Sequence, residues 1–221
     1  MSNSTMRCLR LSVILLSFCI VATAQSPALS KLGSTGEEPA PADARTVRLE
    51  ADHPSTTPLD AEKERQALLI LLKSVRGQIV SAAEAMPATK YEFVPSDGEF
   101  KGVRTFAKQV RHLSATNHIL AAAALGEQAS NDIDENGPET VRTKTEILEY
   151  LNSSFDHLTK AIEAIGDPNA PVKASPISPL PESKTTRLAL TVEALIHAFN
   201  HYGQMVEYLR MNGIIPPASR P

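Results

Sequence analysis

Two histidines separated by three residues, His197 and His201, are the strongest candidates for chemistry in this 221-residue sequence. In an α-helix, residues four positions apart lie on the same face, about 6 Å apart along the axis. Both imidazoles can therefore bind one metal ion. The same spacing also fits two histidines that are solvated or hydrogen-bonded within a core. A third ligand nearby would favour the metal site.

The third ligand is expected from an upstream helix that contains His112 and His118. Helical angles place His112 beside the apolar stripe of that helix, where it faces a cleft between helices. His118 falls on the same line as Arg104 and Arg111, which predicts a solvent-facing position. His112 is therefore the predicted third ligand. No role is predicted for the remaining two histidines, His53 and His157.

Four amphipathic segments must position these histidines, because apolar residues recur in each at intervals of three or four. The predicted helices cover about residues 58–86, 102–125, 139–165 and 183–212, and Gly213 is predicted as a left-handed cap. A proline-rich stretch before the fourth helix is long enough for a crossover connection. We therefore predict an all-α fold, a four-helix bundle with a long crossover connection. The apolar stripe of the second helix is predicted to contain Val103, Phe106, Val110, Leu113 and Leu120.

Composition and charge support this fold class and exclude some partners. Aromatic residues make up 5% of the sequence and tryptophan is absent, which suits an aliphatic helical core better than a β-sandwich. The formal net charge of -3 provides no basic surface for nucleic acid or for an anionic membrane.

The N-terminal segment, residues 1–24, has the pattern of a signal peptide: two arginines, an apolar run and Ala22-Thr23-Ala24. We expect export to the periplasm or the outside of the cell, with no stable membrane anchor after cleavage. A lipoprotein signal ending at Cys19 is the less favoured alternative. Residues 25–58 are predicted to be a disordered tether and residues 59–217 the bundle. Cys8 and Cys19 are lost with the signal, which excludes disulfides and cysteine ligands in the mature chain.

Three motifs in order resemble the DinB superfamily, the DinB/YfiT-like metalloenzymes. They are an aromatic-proline loop at residues 91–95, a histidine midway along the second helix within residues 104–113, and the HxxxH motif followed by Gly-Gln within residues 195–204. The resemblance covers about residues 59–217. It implies a bundle that binds a divalent metal ion, zinc or nickel above all, through His112, His197 and His201.

Two further residues are candidates for supporting roles. Gln204, in the Gly-Gln pair, is a candidate hydrogen-bonding partner behind the metal ligands, or else a plain surface amide. Gly203 would allow a neighbouring helix to approach closely, or would be a plain packing glycine. Glu193 is the carboxylate closest to the line of His197, although a solvent-facing helix acid is the favoured interpretation.

The resulting functional hypothesis is an exported metal-dependent hydrolase or transferase that acts on a small molecule. One alternative is a non-catalytic bundle that binds a metal or ligand, or serves as a stress-response or interaction module. The other is a thiol-dependent S-transferase like some members of the family, against which export argues because thiol cosubstrates are kept in the cytosol. The sequence leaves the oligomeric state open, with a homodimer through an exposed helix face as one candidate.

Overall fold

Four long helices make up most of the structure, a computed structural model that describes residues 58–127 and 134–221. They are α1 (Pro58–Ala85), α2 (Phe106–Leu125), α3 (Lys144–Glu163) and α4 (Arg187–Met211). Helix α1 packs against α3 and α4, and α2 packs against the same two helices. Within the described residues there is no β-strand, only a single bridge between Pro171 and Thr186. The all-α four-helix fold is confirmed, while the crossover course of the proline-rich connection stays a prediction.

The predicted signal peptide, most of the predicted tether and His53 lie outside the described residues. None of the helices in the described part of the chain is long and apolar enough to cross a membrane.

Three helices begin four or five residues later than predicted, and a threonine sets each start. Thr105, Thr143 and Thr186 each have extended backbone, and each side chain accepts a hydrogen bond from a backbone N–H of the first turn. Such a cap satisfies a donor that has no partner within the helix. At α3 the cap is reciprocal, since the Glu146 carboxylate accepts from the Thr143 N–H at 2.8 Å. The apolar periodicity extends beyond these caps, and the prediction followed it too far.

The later start of α2 changes the place of one predicted core residue. Val103 lies in the loop before the helix and is 39% exposed, so its assignment to the apolar stripe was wrong. The other members of the stripe are buried as predicted: Phe106, Val110, Leu113 and Leu120.

The aromatic loop before α2 fixes the position of that helix. The Tyr91 hydroxyl donates to the Ala83 carbonyl at 2.8 Å, and its ring lies 5.3 Å from that of Phe106. The N–H groups of Phe106 and Ala107 donate to the carbonyls of Phe93 and Tyr91. The first turn of α2 is thereby held against the end of α1.

Helix α4 ends as the sequence predicts. Gly213 adopts a φ of 72°, a conformation that costs glycine little. The N–H groups of Gly213 and Ile214 donate to the carbonyls of Arg210 and Leu209, each at 2.9 Å. These bonds satisfy carbonyls that the helix leaves open.

Candidate metal centre

Three histidines meet between α2 and α4. His112 comes from α2, and His197 and His201 lie one turn apart on α4. The Nε2 atom of His197 lies 2.9 Å from Nε2 of His201 and 3.3 Å from Nε2 of His112. The candidate ligand atoms of all three residues lie within 4.8 Å of one another, close enough to share one ion.

The outer nitrogen of His112 shows which of its nitrogens bears the proton. Nδ1 contacts the backbone carbonyl of Glu135, and a carbonyl oxygen can only accept. Nδ1 therefore donates, and Nε2 directs its lone pair toward the other two histidines. This is the tautomer that metal ligation requires.

A glycine brings the Glu135 carbonyl to His112. Gly137, two residues further on, has a φ of 75°, and a Cβ atom there would lie 2.9 Å from Cγ and 3.1 Å from the carbonyl oxygen of Arg111. The Arg111 Nε group in turn donates to the Asn136 carbonyl at 3.0 Å. The loop can approach α2 this closely because position 137 has no side chain.

The outer nitrogen of His201 contacts a pair of glutamines. Gln109 Nε2 lies against His201 Nδ1 and donates to Gln204 Oε1 at 2.8 Å. Turning both amides by 180° preserves their shape and reverses every donor and acceptor. Gln109 then accepts from the His201 Nδ1–H and from the Gln204 amide, which leaves the lone pair of His201 on Nε2. The glutamine pair can thus support ligation by His201.

Without an ion, no placement of the imidazole protons satisfies every polar contact in this cluster. The His197 Nδ1 atom is buried and has no hydrogen-bond partner in the described part of the chain. If His197 carries its proton on Nε2, it can donate to only one of its two neighbours, and the lone pair of the other neighbour receives no proton from it. If the proton is on Nδ1 instead, that N–H is buried without an acceptor among the described residues. A cation among the three Nε2 atoms removes that conflict, so the donor set fits a divalent metal ion.

Electrostatics keep these imidazoles neutral. Burial, together with the nearby imidazoles and the charge of Arg104, lowers the pKa of His197 to about 4 and that of His201 to about 3. Burial also lowers the pKa of His112, against the opposing effect of its bond to the Glu135 carbonyl. Neutral imidazole is the form that binds metal, so no proton has to be displaced at neutral pH.

The two supporting candidates differ in position. Gln204 is exposed and reaches His201 only through Gln109. The Glu193 carboxylate accepts a hydrogen bond from the Ser178 hydroxyl at 2.6 Å and stands outside the histidine cluster. Of the two interpretations of Gly203, the close approach of a neighbouring helix was wrong, since a Cβ atom there would meet nothing within 4 Å.

His118 is not solvent-facing, contrary to prediction. It is half-buried between α2 and α3, with Nδ1 3.1 Å from Nδ1 of His157 and Nε2 3.2 Å from the Ser153 hydroxyl. Its ring lies 5.1 Å from that of Tyr150. Burial lowers the pKa of His118 to about 4. The prediction failed because α3 covers the side of α2 on which the arginine line was placed.

Three contributors to the centre had been assigned no role from the sequence. Gln109 precedes His112 by three residues, so helical spacing alone indicates that the two share a face. The Glu135 carbonyl gives no such signal, because a backbone group carries no residue type. Arg104 acts at a distance, by its charge.

The fold and the histidine cluster together define an all-α protein whose bundle could hold a divalent metal ion. A model of the DinB superfamily matches residues 71–205, more than half of the chain, including all three clustered histidines. The chain belongs to the DinB superfamily. No curated protein matches it.

Proposed function

We propose that this protein is an exported metal-dependent enzyme of the DinB superfamily, a hydrolase or transferase that acts on a small molecule. The observation that carries the proposal is the convergence of three imidazole Nε2 atoms from two facing helices. His112, His197 and His201 would hold the ion. Three protein ligands leave a coordination position open, where a divalent ion can act as a Lewis acid toward an oxygen atom of the substrate.

The surrounding residues orient the ligands. The Glu135 carbonyl fixes the ring of His112, and the Gln109 amide fixes that of His201. Such outer partners commonly change metal affinity by about 10- to 100-fold. No carboxylate belongs to the cluster in the described residues, so a hydrolase would rely on another group, or on the substrate, to accept a proton.

Export is supported by the signal-like segment and by the absence of cysteine after residue 24. A chain that passes through an oxidising compartment gains nothing from a free thiol. Export also makes dependence on a thiol cosubstrate the weaker alternative, because such thiols are kept in the cytosol.

A homodimer is supported by an exposed apolar line on α4. Val192, Ile196 and Phe199 follow at intervals of four and three, and Ile196 is 66% exposed. We expect light scattering to give twice the mass of one chain, and Ile196→Glu to restore the monomer. A wild-type protein with the mass of one chain would exclude the dimer.

The test of the function combines metal analysis with a substrate panel. We expect the purified mature chain to hold one divalent ion and to turn over at least one ester, amide or transferable small molecule without added thiol. Activity only with thiol would identify the S-transferase. A bound ion without turnover on the whole panel would favour the non-catalytic bundle, and a protein that binds no divalent ion would contradict both.

A further inference from the structure

A cavity of about 850 Å³ lies beside the histidine cluster, at the start of α2 and the end of α4. Its apolar walls include Phe100, Val103 and Met211, and its polar side includes Arg104 and Lys108. The volume is in the range of cavities that bind small molecules. We propose that this cavity binds a small molecule composed of an apolar body and an anionic group, and that Arg104 and Lys108 select the anion; as a substrate site, it rests on the proposed function.

The charge around the cavity favours an anion. Arg104 forms a long ion pair with Glu135, whose Oε1 lies 3.9 Å from Nη2, which is beyond hydrogen-bond distance. The acid on the cavity wall, Glu207, accepts from Arg210 at 2.8 Å. The guanidinium of Arg104 therefore keeps donors for a ligand, and its planar shape suits a carboxylate or phosphate.

A second, smaller cavity of about 270 Å³ shares the same two cations. Arg104 and Lys108 line it together with Arg111 and with two acids, Asp134 and Glu139. The Arg111 guanidinium is already used, because it donates to the carbonyls of Asn136 and Val141. Arg104 and Lys108 are the cations that line both cavities.

The first backbone N–H groups of α2 are already hydrogen-bonded and do not bind the anion of the ligand. The N–H groups of Phe106 and Ala107 donate to loop carbonyls, and that of Lys108 donates to the Thr105 hydroxyl. The anion must be recognised by side chains, to which the positive end of the helix dipole adds.

The cavity is joined to the candidate metal centre by the glutamine pair. Gln109 and Gln204 line the cavity, and Gln109 contacts His201. A ligand anchored at Arg104 therefore lies beside the centre.

The test compares 3-phenylpropionate with 3-phenylpropionamide, which has the same apolar body without the charge. Binding is measured by NMR or calorimetry on the mature chain, both metal-loaded and metal-free, and metal content is measured in parallel. We expect the acid to bind both forms and the amide to bind at least about tenfold more weakly, as loss of a charged hydrogen bond implies.

Arg104→Gln and Lys108→Gln should each weaken binding of the acid about tenfold and leave that of the amide unchanged. Arg76→Gln is the matched control, since Arg76 pairs with Asp156 and does not line the cavity. Circular dichroism verifies the fold of each variant, and having two independent variants keeps the test valid if one is unstable.

The outcomes separate this inference from the proposed function. Acid binding that requires metal and is unaffected by Arg104→Gln would show that the anion binds the ion, and would overturn the inference alone. Equal binding of acid and amide, or binding of neither at millimolar concentration, would also overturn it. Arg104-dependent binding in a protein that holds no metal would support the anion site and contradict the proposed function.

Discussion

Two histidine clusters lie on different sides of α2, one facing α4 and the other facing α3, and they differ in where their nitrogen atoms point. In the cluster of His112, His197 and His201, three Nε2 atoms face one another. In the cluster of His118 and His157, the polar atoms form a chain in which each has its own partner. Ser153 lies at one end of the chain and Glu127, 3.2 Å from His157 Nε2, at the other.

Because of this difference, one histidine cluster fits a hydrogen-bonded structural role and the other fits a metal ion. In the His118 cluster each nitrogen can donate or accept within the chain, so the protein satisfies its own hydrogen bonds. In the other cluster the lone pairs converge, and His197 Nδ1 lacks a partner in the described residues. Histidines that cannot satisfy one another's hydrogen bonds are the ones that fit a metal ion.

The largest effect that would separate the clusters is the loss of metal on ligand removal. We expect His197→Ala to weaken metal binding by more than about 100-fold, the upper range for removing an outer partner. His118→Ala, on the other side of the same helix, should bind as the wild type does. Competition with a chromophoric chelator measures both, and a greater loss in His118→Ala would reverse the assignment.

Metal should also stabilise the fold through the first cluster alone. An ion at 100 times its dissociation constant adds about 2.7 kcal/mol to the free energy of unfolding. For a domain of this size that raises Tm by about 5–10 °C. Calorimetry with and without zinc should show the increase in wild type and in His118→Ala, and EDTA should abolish it. An equal increase in His201→Ala would place the ion elsewhere.

The glutamine behind His201 should have a smaller effect. We expect Gln109→Leu to weaken metal binding about 10-fold and Gln109→Glu to preserve it, because a carboxylate also accepts from the His201 Nδ1–H. Gln78→Leu serves as control, since the Gln78 side chain donates to the Ser74 hydroxyl on α1 and takes no part in the metal centre. If leucine and glutamate variants lose affinity equally, Gln109 fills space rather than orienting the ring.

The last prediction concerns the pH dependence of stability at the second cluster. Burial lowers the pKa of His118 to about 4 from 6.5, so between these values the unfolded chain binds more protons than the native one. Stability from this residue is present above pH 6.5 and is lost as pH falls toward 4. Urea unfolding of the metal-free protein should show a shallower pH dependence in His118→Gln, in which Glu127, Tyr150 and His157 remain. An unchanged slope would mean that His118 does not titrate in this way.

The sequence predicted the bundle because helix periodicity is a local property. It predicted that His112 faces a cleft between helices because the angle between His112 and the apolar stripe is also local. The helix starts were less accurate, since apolar spacing continued past the threonine caps. His118 was misplaced because the prediction considered α2 alone, while its surroundings depend on how α3 packs. The bond from His112 to the Glu135 carbonyl depends on a loop 23 residues away, and no residue type announces it.

The most direct measurement is a crystal structure of the mature chain grown with one equivalent of zinc, with anomalous data at the zinc absorption edge. We predict a single strong peak about 2.0–2.1 Å from the Nε2 atoms of His112, His197 and His201. A peak between His118 and His157, or no peak at the three converging nitrogens in crystals that contain zinc, would contradict the account.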